Sequence, residues 1–486
     1  MEKMKSLTKN SIYYILYNVF NLLFPLLTGI YVARVLLASD IGEITYAGNI
    51  AQYFVILSCL GIPTYGMREI AKVRDNKEEL NRVFSELFII NFVSTCICCI
   101  AFLILVFSVG QFREKINVFL IMGSLILCNA MNITWMFQGV EEFRFISIRN
   151  IVSKVIIFCC LVFFVRSQDD YLVYAIINVT GTVAIYLISL IYAPKHVKIV
   201  TKGLCFSRHI KPVVALVTVN IAIEIYSLVD VTMLGNIALK ENVTFYTYGH
   251  RIQQILLQII NSFTIVIVPR LSNYFAKKEA DKYNALISQT LVVIMLLSLP
   301  MIIGLEFISR DLLCLLYGER FVRTANVLMI LAPLLIISPI GYLLGSRVML
   351  VTGHETKMPL CVGIGAVVNV IGNALLIPAY SEYGAATASI FSEIVVMIVY
   401  LFFSRGKYVV SDIKSSIWKM IIGLISITLF LALVSLLSIP AIMKLAVEII
   451  GAVVLYFGVL YLLKESTVLR YSIQFKRKMK TMFIRR

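Results

Sequence analysis

Long apolar runs alternate with short polar connectors along the whole chain. Fourteen of these runs are long enough to cross a bilayer as helices, which takes about 20 residues at a rise of about 1.5 Å each. The spans are placed at Ile12–Leu36, Gly42–Ile62, Val83–Val109, Ile116–Phe137, Ile148–Val165, Leu172–Ala193, Pro212–Ile237, Phe245–Val268, Ala285–Ile308, Val327–Val351, Leu360–Ala379, Gly384–Phe403, Ile417–Leu437 and Ala441–Leu463. None shows the apolar–polar alternation of a barrel strand, and backbone inside hydrocarbon must bond within its own segment. The pattern therefore predicts an all-α integral membrane protein. Pro25, Pro300, Pro333 and Pro339 lie inside spans, where a missing backbone donor is expected to bend the helix. The connector Thr64–Arg82 has mixed charge and a helical period, which predicts a solvated helix at the membrane surface.

Composition agrees with the pattern: 60% of the 486 residues are hydrophobic, 15% are charged, and the mean hydropathy is +0.90. A net charge of +17 would suggest a nucleic-acid partner in a soluble protein. Here the basic residues sit in connectors, where the membrane accounts for them, and no nucleic acid is expected. With the N-terminus inside, the cytoplasmic side collects roughly 34 Lys and Arg and the outer side about 9, with Arg251 left inside a span. Both ends are then expected in the cytoplasm, and the tail residues Lys476, Arg477 and Lys478 against anionic headgroups. The apolar stretch after the basic start is too long for a signal peptide and is read as an uncleaved first span. Cysteines such as Cys96, Cys98 and Cys99 fall within spans without ligand spacing to His, so they are expected to act as small apolar residues, and no metal or cofactor is anticipated. No phosphate-cradling P-loop is present, which excludes ATP as the direct fuel.

The two halves carry a short repeat, a common plan among transporters. Thr45–Gln52 reads TYAGNIAQ and Thr247–Gln254 reads TYGHRIQQ, each opening the second span of a half. This places an N-terminal lobe of six helices at 1–206, a second lobe of six at 207–408, and two extra helices with a basic tail at 409–486.

Several stretches carry a resemblance to a known family: GIPTYGMREIAK at Gly61–Lys72, DVTMLGNI at Asp230–Ile237, FYTYGHRIQQI at Phe245–Ile255, VPRLSNYF at Val268–Phe275, LLYGERF at Leu315–Phe321, and the stretch from Gly345 to Glu393. Together they resemble the Wzx-type oligosaccharide flippases, the polysaccharide transporter family within the multidrug/oligosaccharidyl-lipid/polysaccharide exporter superfamily. The resemblance implies two six-helix lobes around a central cavity that work by alternating access. It also implies an undecaprenyl-pyrophosphate-linked oligosaccharide as cargo, moved from the inner to the outer leaflet of a bacterial cytoplasmic membrane for O-antigen, capsule or exopolysaccharide. Membrane lipids, a polysaccharide polymerase and chain-length machinery are the expected partners. Lipid II flippases and cation-coupled drug exporters share that fold and are the nearest alternatives. A polysaccharide polymerase or ligase, which would need a large outer loop, and an assembly scaffold are more distant ones.

Moving such a cargo requires a wet, polar and preferably cationic lining, because sugar and pyrophosphate cannot cross hydrocarbon bare. The eighth span offers one: Tyr246, His250, Arg251, Gln253, Gln254, Gln258 and Asn261 share one side of a helix. Of these, Arg251, His250, Gln254, Gln258 and Asn261 are candidate substrate contacts, Arg251 for its donor fork; Arg251 can also simply snorkel to the interface. The first lobe adds the amides Asn18, Asn21, Asn49 and Gln52, which can read sugar hydroxyls or equally join helices. Arg68 either meets the arriving pyrophosphate or anchors the chain. Asp230, Glu224 and Glu393 are candidate ion-coupling carboxylates, with Asp230 also positioned to pair with Arg251. Arg34, Asp40 and Pro25 are candidate gate residues at the first helices.

Overall fold

The computed structural model describes residues 20–411 and 413–473, with only the backbone described at Lys211 and at residues 214–227. Asn18, the side chain of Glu224 and the basic tail lie outside the described residues. Regular structure among the described residues is entirely helical, and the chain forms two compact units that divide between Thr244 and Phe245.

The first unit contains α1 (Phe20–Val35), α2 (Ala38–Cys59), α3 (Ile62–Val73), α4 (Lys77–Ser108), α5 (Gly110–Glu114), α6 (Ile116–Asn129), α7 (Thr134–Gly139), α8 (Phe143–Phe164), α9 (Tyr171–Tyr192) and α10 (Ser207–Ile237). One core gathers Tyr46, Phe102, Phe119 and Ile126 between α2, α4 and α6. A second gathers Tyr65, Phe84, Trp135 and Phe137 from α3, α4 and α7. The predicted single surface helix over Thr64–Arg82 is two elements. Leu60 and Gly61 adopt φ of 48° and 68°, which ends α2 and turns the chain into α3. Asn76 then accepts the N–H groups of Glu78 and Glu79 at 3.1 and 3.2 Å and starts α4 well before its apolar stretch. Nor is α3 merely solvated: Ile62, Tyr65, Gly66 and Ile70 are buried, and a Cβ on Gly66 would stand 2.6 Å from the Trp135 ring.

The second unit starts in the first turns of α11 (Lys240–Ala276) and continues with α12 (Ala280–Tyr317), α13 (Val322–Leu331), α14 (Leu334–Gly341), α15 (Val348–Val351), α16 (Met358–Ser404), α17 (Lys414–Ser435) and α18 (Ala441–Leu462). A π-helical turn, Tyr342–Arg347, joins α14 to α15. Continuous as α16 looks, it is a hairpin. Ser381 has φ 49° and ψ −125°, and beyond it the chain runs back so that Ser392 Oγ donates to the Gly365 carbonyl at 3.0 Å. Gly384 is required there, since a Cβ would lie 2.4 Å from the Leu376 carbonyl oxygen. The eleventh and twelfth spans are therefore the two arms of α16.

Eleven helices meet the length and hydropathy of a membrane span among the described residues. Counting α16 as two, and adding the shorter apolar helices Phe20–Val35 and Leu228–Ile237, recovers all fourteen spans. The last two, α17 and α18, pack on each other and on α12 through Met420, Ile427, Tyr456, Val292 and Leu296.

One fastening occurs twice. In the first unit Asn81 Oδ1 and Ser85 Oγ on α4 accept the backbone N–H groups of Lys198 and Val200, both at 2.8 Å. In the second, Asn284 Oδ1 and Ser288 Oγ on α12 accept those of Val409 and Ser411, at 2.9 and 2.8 Å. Each pair is one helical turn apart and catches alternate residues of an extended connector, so each bundle's closing strand is tied to its own long helix.

Candidate functional site

In the first unit α8 brings two cations to membrane depth. Arg149 is 5% exposed, and Lys154 lies midway along the helix. Neither is left bare. The Arg149 Nε and Nη2 donate to Asn150 Oδ1 at 3.3 and 3.1 Å, Nη1 donates to Ser189 Oγ on α9, and the guanidinium stands 5.6 Å from the Phe145 ring centroid. Lys154 Nζ donates to Asn21 Oδ1 on α1 and lies 5.2 Å from the Phe24 ring centroid. Amide oxygens, a hydroxyl and ring faces hold these cations in place.

Both cations open onto a cavity of about 330 Å³. Its remaining polar lining comes from Asn132, Thr134 and Gln138 at α7, Asn150 on α8, and Thr182 and Tyr186 on α9; Trp135, Pro63 and Ile185 complete the wall. No carboxylate is among the lining residues. Two positive charges, three amides and three hydroxyls at α7, α8 and α9, and two aromatic rings suit an anion attached to something hydroxylated. Asn21 was expected from sequence and Asn132 lies in the fourth span; Arg149 and Lys154 were missed. Both lie within the fifth span, so the rule that singles out Arg251, that ionisable residues at membrane depth are functional, already applied to them. Charge counting instead absorbs them into the basic inner side.

The other first-unit candidates lie elsewhere. Asn49 donates its amide to the Leu228 carbonyl at 3.0 Å and to Thr232 Oγ1 at 2.7 Å, tying α2 to α10 beside the Tyr46–Asn236 bond at 2.6 Å. Asp230 is half-buried, two residues before Thr232. Gln52 is half-buried and Arg68 exposed on α3; Arg34 is exposed, while Asp40 and Pro25 are half-buried.

A further cluster closes one end of this unit. Glu86 is fully buried; its Oε2 accepts from Arg208 at 2.6 Å and meets His209 Nε2 at 2.7 Å, and its Oε1 accepts the Cys205 N–H at 2.6 Å. Tyr65, in the GIPTYG stretch, meets His209 Nδ1 at 2.9 Å. The start of α10 is thereby bolted to α3 and α4.

In the second unit packing divides the polar side of α11. Tyr246 is buried, stacks on His250 with centroids 5.6 Å apart, and bonds Ser389 at 3.2 Å. Gln253 is fully buried, whereas Gln254 and Gln258 are exposed, and His250 bonds Gln254 at 3.1 Å. Arg251 and Asn261 are half-buried, with Arg251 lying 5.4 Å from the Tyr248 ring centroid. Glu393 is half-buried on the second arm of α16 and bonds the Ser338 hydroxyl beside the π turn that carries Arg347. Among the described residues no group of His, Cys, Asp or Glu could hold a metal ion, and none of the ten cysteines forms a disulfide.

Residues 7–275 match the family described as polysaccharide biosynthesis protein. A protein named for O-antigen transport in Escherichia coli (strain K12) is 22% identical over 83% of this chain and 97% of its own length. A glycan biosynthesis flippase by name, Agl15 of Haloferax volcanii, is 26% identical over 34% of the chain and 35% of its own. Among solved structures, the lipid II flippase MurJ in an inward closed conformation superposes with a TM-score of 0.70 at 16% identity, over 92% of this chain and 97% of that one. An inward-facing multidrug MATE transporter gives 0.62 at 13% identity, over 79% and 93%. These structures share the fold of this chain. With more than half of its residues matched, the chain belongs to the polysaccharide biosynthesis protein family.

Proposed function

We propose that this protein is a flippase that moves undecaprenyl-pyrophosphate-linked oligosaccharide units from the inner to the outer leaflet of the bacterial cytoplasmic membrane, with both chain ends in the cytoplasm. The observation that carries the reading is the Arg149–Lys154 pocket. A pyrophosphate head needs charge-assisted donors in a place where water is scarce, and Lys154 with Arg149 supplies two. The adjoining sugars need amides, hydroxyls and flat apolar faces, which Asn132, Gln138, Thr182, Trp135 and Tyr186 provide. No bond is made or broken; the polar head is solvated by the protein while the prenyl tail stays in lipid.

On this reading Arg251, His250, Gln254, Gln258 and Asn261 receive the head group on the second unit, with Asn21 positioning Lys154. Asp230 and Glu393 are the carboxylates proposed for ion coupling, and Arg34, Asp40 and Pro25 for gating. Arg68 is proposed to meet the arriving cargo. The experiment is a flipping assay in vesicles with a pyrophosphate-linked oligosaccharide. Arg251→Ala is expected to abolish transport with the protein still inserted, and Asp230→Asn to slow turnover; wild-type rates would remove each residue from its role.

A further inference from the structure

The repeated fastening carries one telling difference. In the first unit the residue after the connector-binding serine is Glu86, and it neutralises Arg208. In the second unit the residue after Ser288 is Gln289, and it accepts a bond from Arg470 Nη1 at 3.1 Å. Where one copy has an acid the other has an amide, so Arg470 is oriented while its charge stays uncancelled by this partner.

That charge borders a cavity of about 740 Å³, formed by α11, α12 and the segment after α18. Arg270 on α11 lines the same cavity, and no carboxylate does. From Arg270 the α11 wall continues through Ile267, Val266 and Phe263, a rise of about 10 Å, and α12 faces it with Val293 and Leu286. With Ser262, Thr290, Ser466 and Thr467 among its lining, the cavity sets two cations beside an apolar wall, the profile of an anionic amphiphile. Lys277 and Lys278 follow Arg270 in the next connector and Lys282 lies in the first turn of α12, an end that the distribution of basic residues assigns to the cytoplasm, where anionic lipids concentrate.

We infer that the second unit binds an anionic phospholipid here, its phosphate between Arg270 and Arg470 and the start of an acyl chain against Val266 and Phe263. This site shares no lining residue with the Arg149–Lys154 pocket and does not depend on what the cargo is.

The test is native mass spectrometry of the full-length protein from neutral detergent, titrated with phosphatidylglycerol, phosphatidylcholine or undecaprenyl phosphate. Phosphatidylglycerol is expected to bind at least about tenfold more tightly than phosphatidylcholine, in line with two charge-assisted contacts. Arg270→Gln with Arg470→Gln should erase that preference, Arg270→Lys with Arg470→Lys should keep most of it, and Lys154→Met should leave it unchanged. Equal binding of the two phospholipids, or a preference that survives the double glutamine change, would overturn the inference. So would loss of the preference in Lys154→Met, or undecaprenyl phosphate outcompeting phosphatidylglycerol tenfold, which would mark the site as the cargo's.

Discussion

Lys154 reaches from the middle of α8 to the side-chain amide oxygen of Asn21 on α1, with the Phe24 ring beneath its ammonium. A neutral amide is the partner, so the helices are joined and the positive charge is kept. A carboxylate at position 21 would have cancelled the Lys154 charge and left the pocket less positive.

Lys154→Met should keep the protein inserted and folded but cut transport by roughly 10- to 100-fold, the equivalent of one lost charge-assisted bond. Lys154→Arg should retain a measurable fraction. Rates in vesicles, beside a detergent melting curve for each variant, separate transport from folding.

Arg149 has a second duty, because it also satisfies Asn150 and Ser189. Arg149→Ala leaves those buried groups without their donor and is expected to cost about 2 kcal/mol of stability as well as transport. Unchanged thermal stability would show that the guanidinium is not holding α8 to α9.

Glu86→Ala strips Arg208, His209 and the Cys205 N–H of a fully buried acceptor. The cost should be on the order of 3 kcal/mol, the low end for a broken buried pair since Arg208 is partly exposed. Limited proteolysis should find the connector at 196–206 newly accessible, and an unaltered digestion pattern would contradict the clamp.

The twin fastenings predict twin phenotypes. Asn81→Ala should loosen only the connector after α9, and Asn284→Ala only the one after α16, each by about 1 kcal/mol. Hydrogen exchange at Lys198 and Val200, and separately at Val409 and Ser411, reads the two independently.

Gly66→Leu should destabilise the first unit by about 1–3 kcal/mol, because a Cβ there meets Trp135, itself 2% exposed and fixed against Phe84. A melting curve like that of the parent protein would mean that α3 can pull away from α7.

The membrane spans were legible because hydrocarbon imposes one demand on every residue within it, and apolar length alone answers that demand. The hairpin of α16 was legible too, through the polar Ser381–Glu382 break between Ala379 and Gly384. What could not be read is which neighbour a polar group meets. Asn21 and Asn49 look alike in sequence; one braces a cation, and the other ties α2 to α10, because helix rotation and register decide the partner. The polar side of α11 likewise reads as one face by its period, yet packing buries Tyr246 and Gln253 and exposes Gln254 and Gln258. The connector fastenings join residues more than a hundred positions apart, and nothing local announces them.

If positive charge on α8 carries a phosphorylated head group, the initial rate at which a pyrophosphate-linked oligosaccharide crosses vesicles should differ between wild-type protein and Lys154→Met at equal inserted amounts. The expected result is a fall of at least about tenfold, largely restored by Lys154→Arg; equal rates for wild type and the methionine variant would mean that Lys154 does not hold the head group.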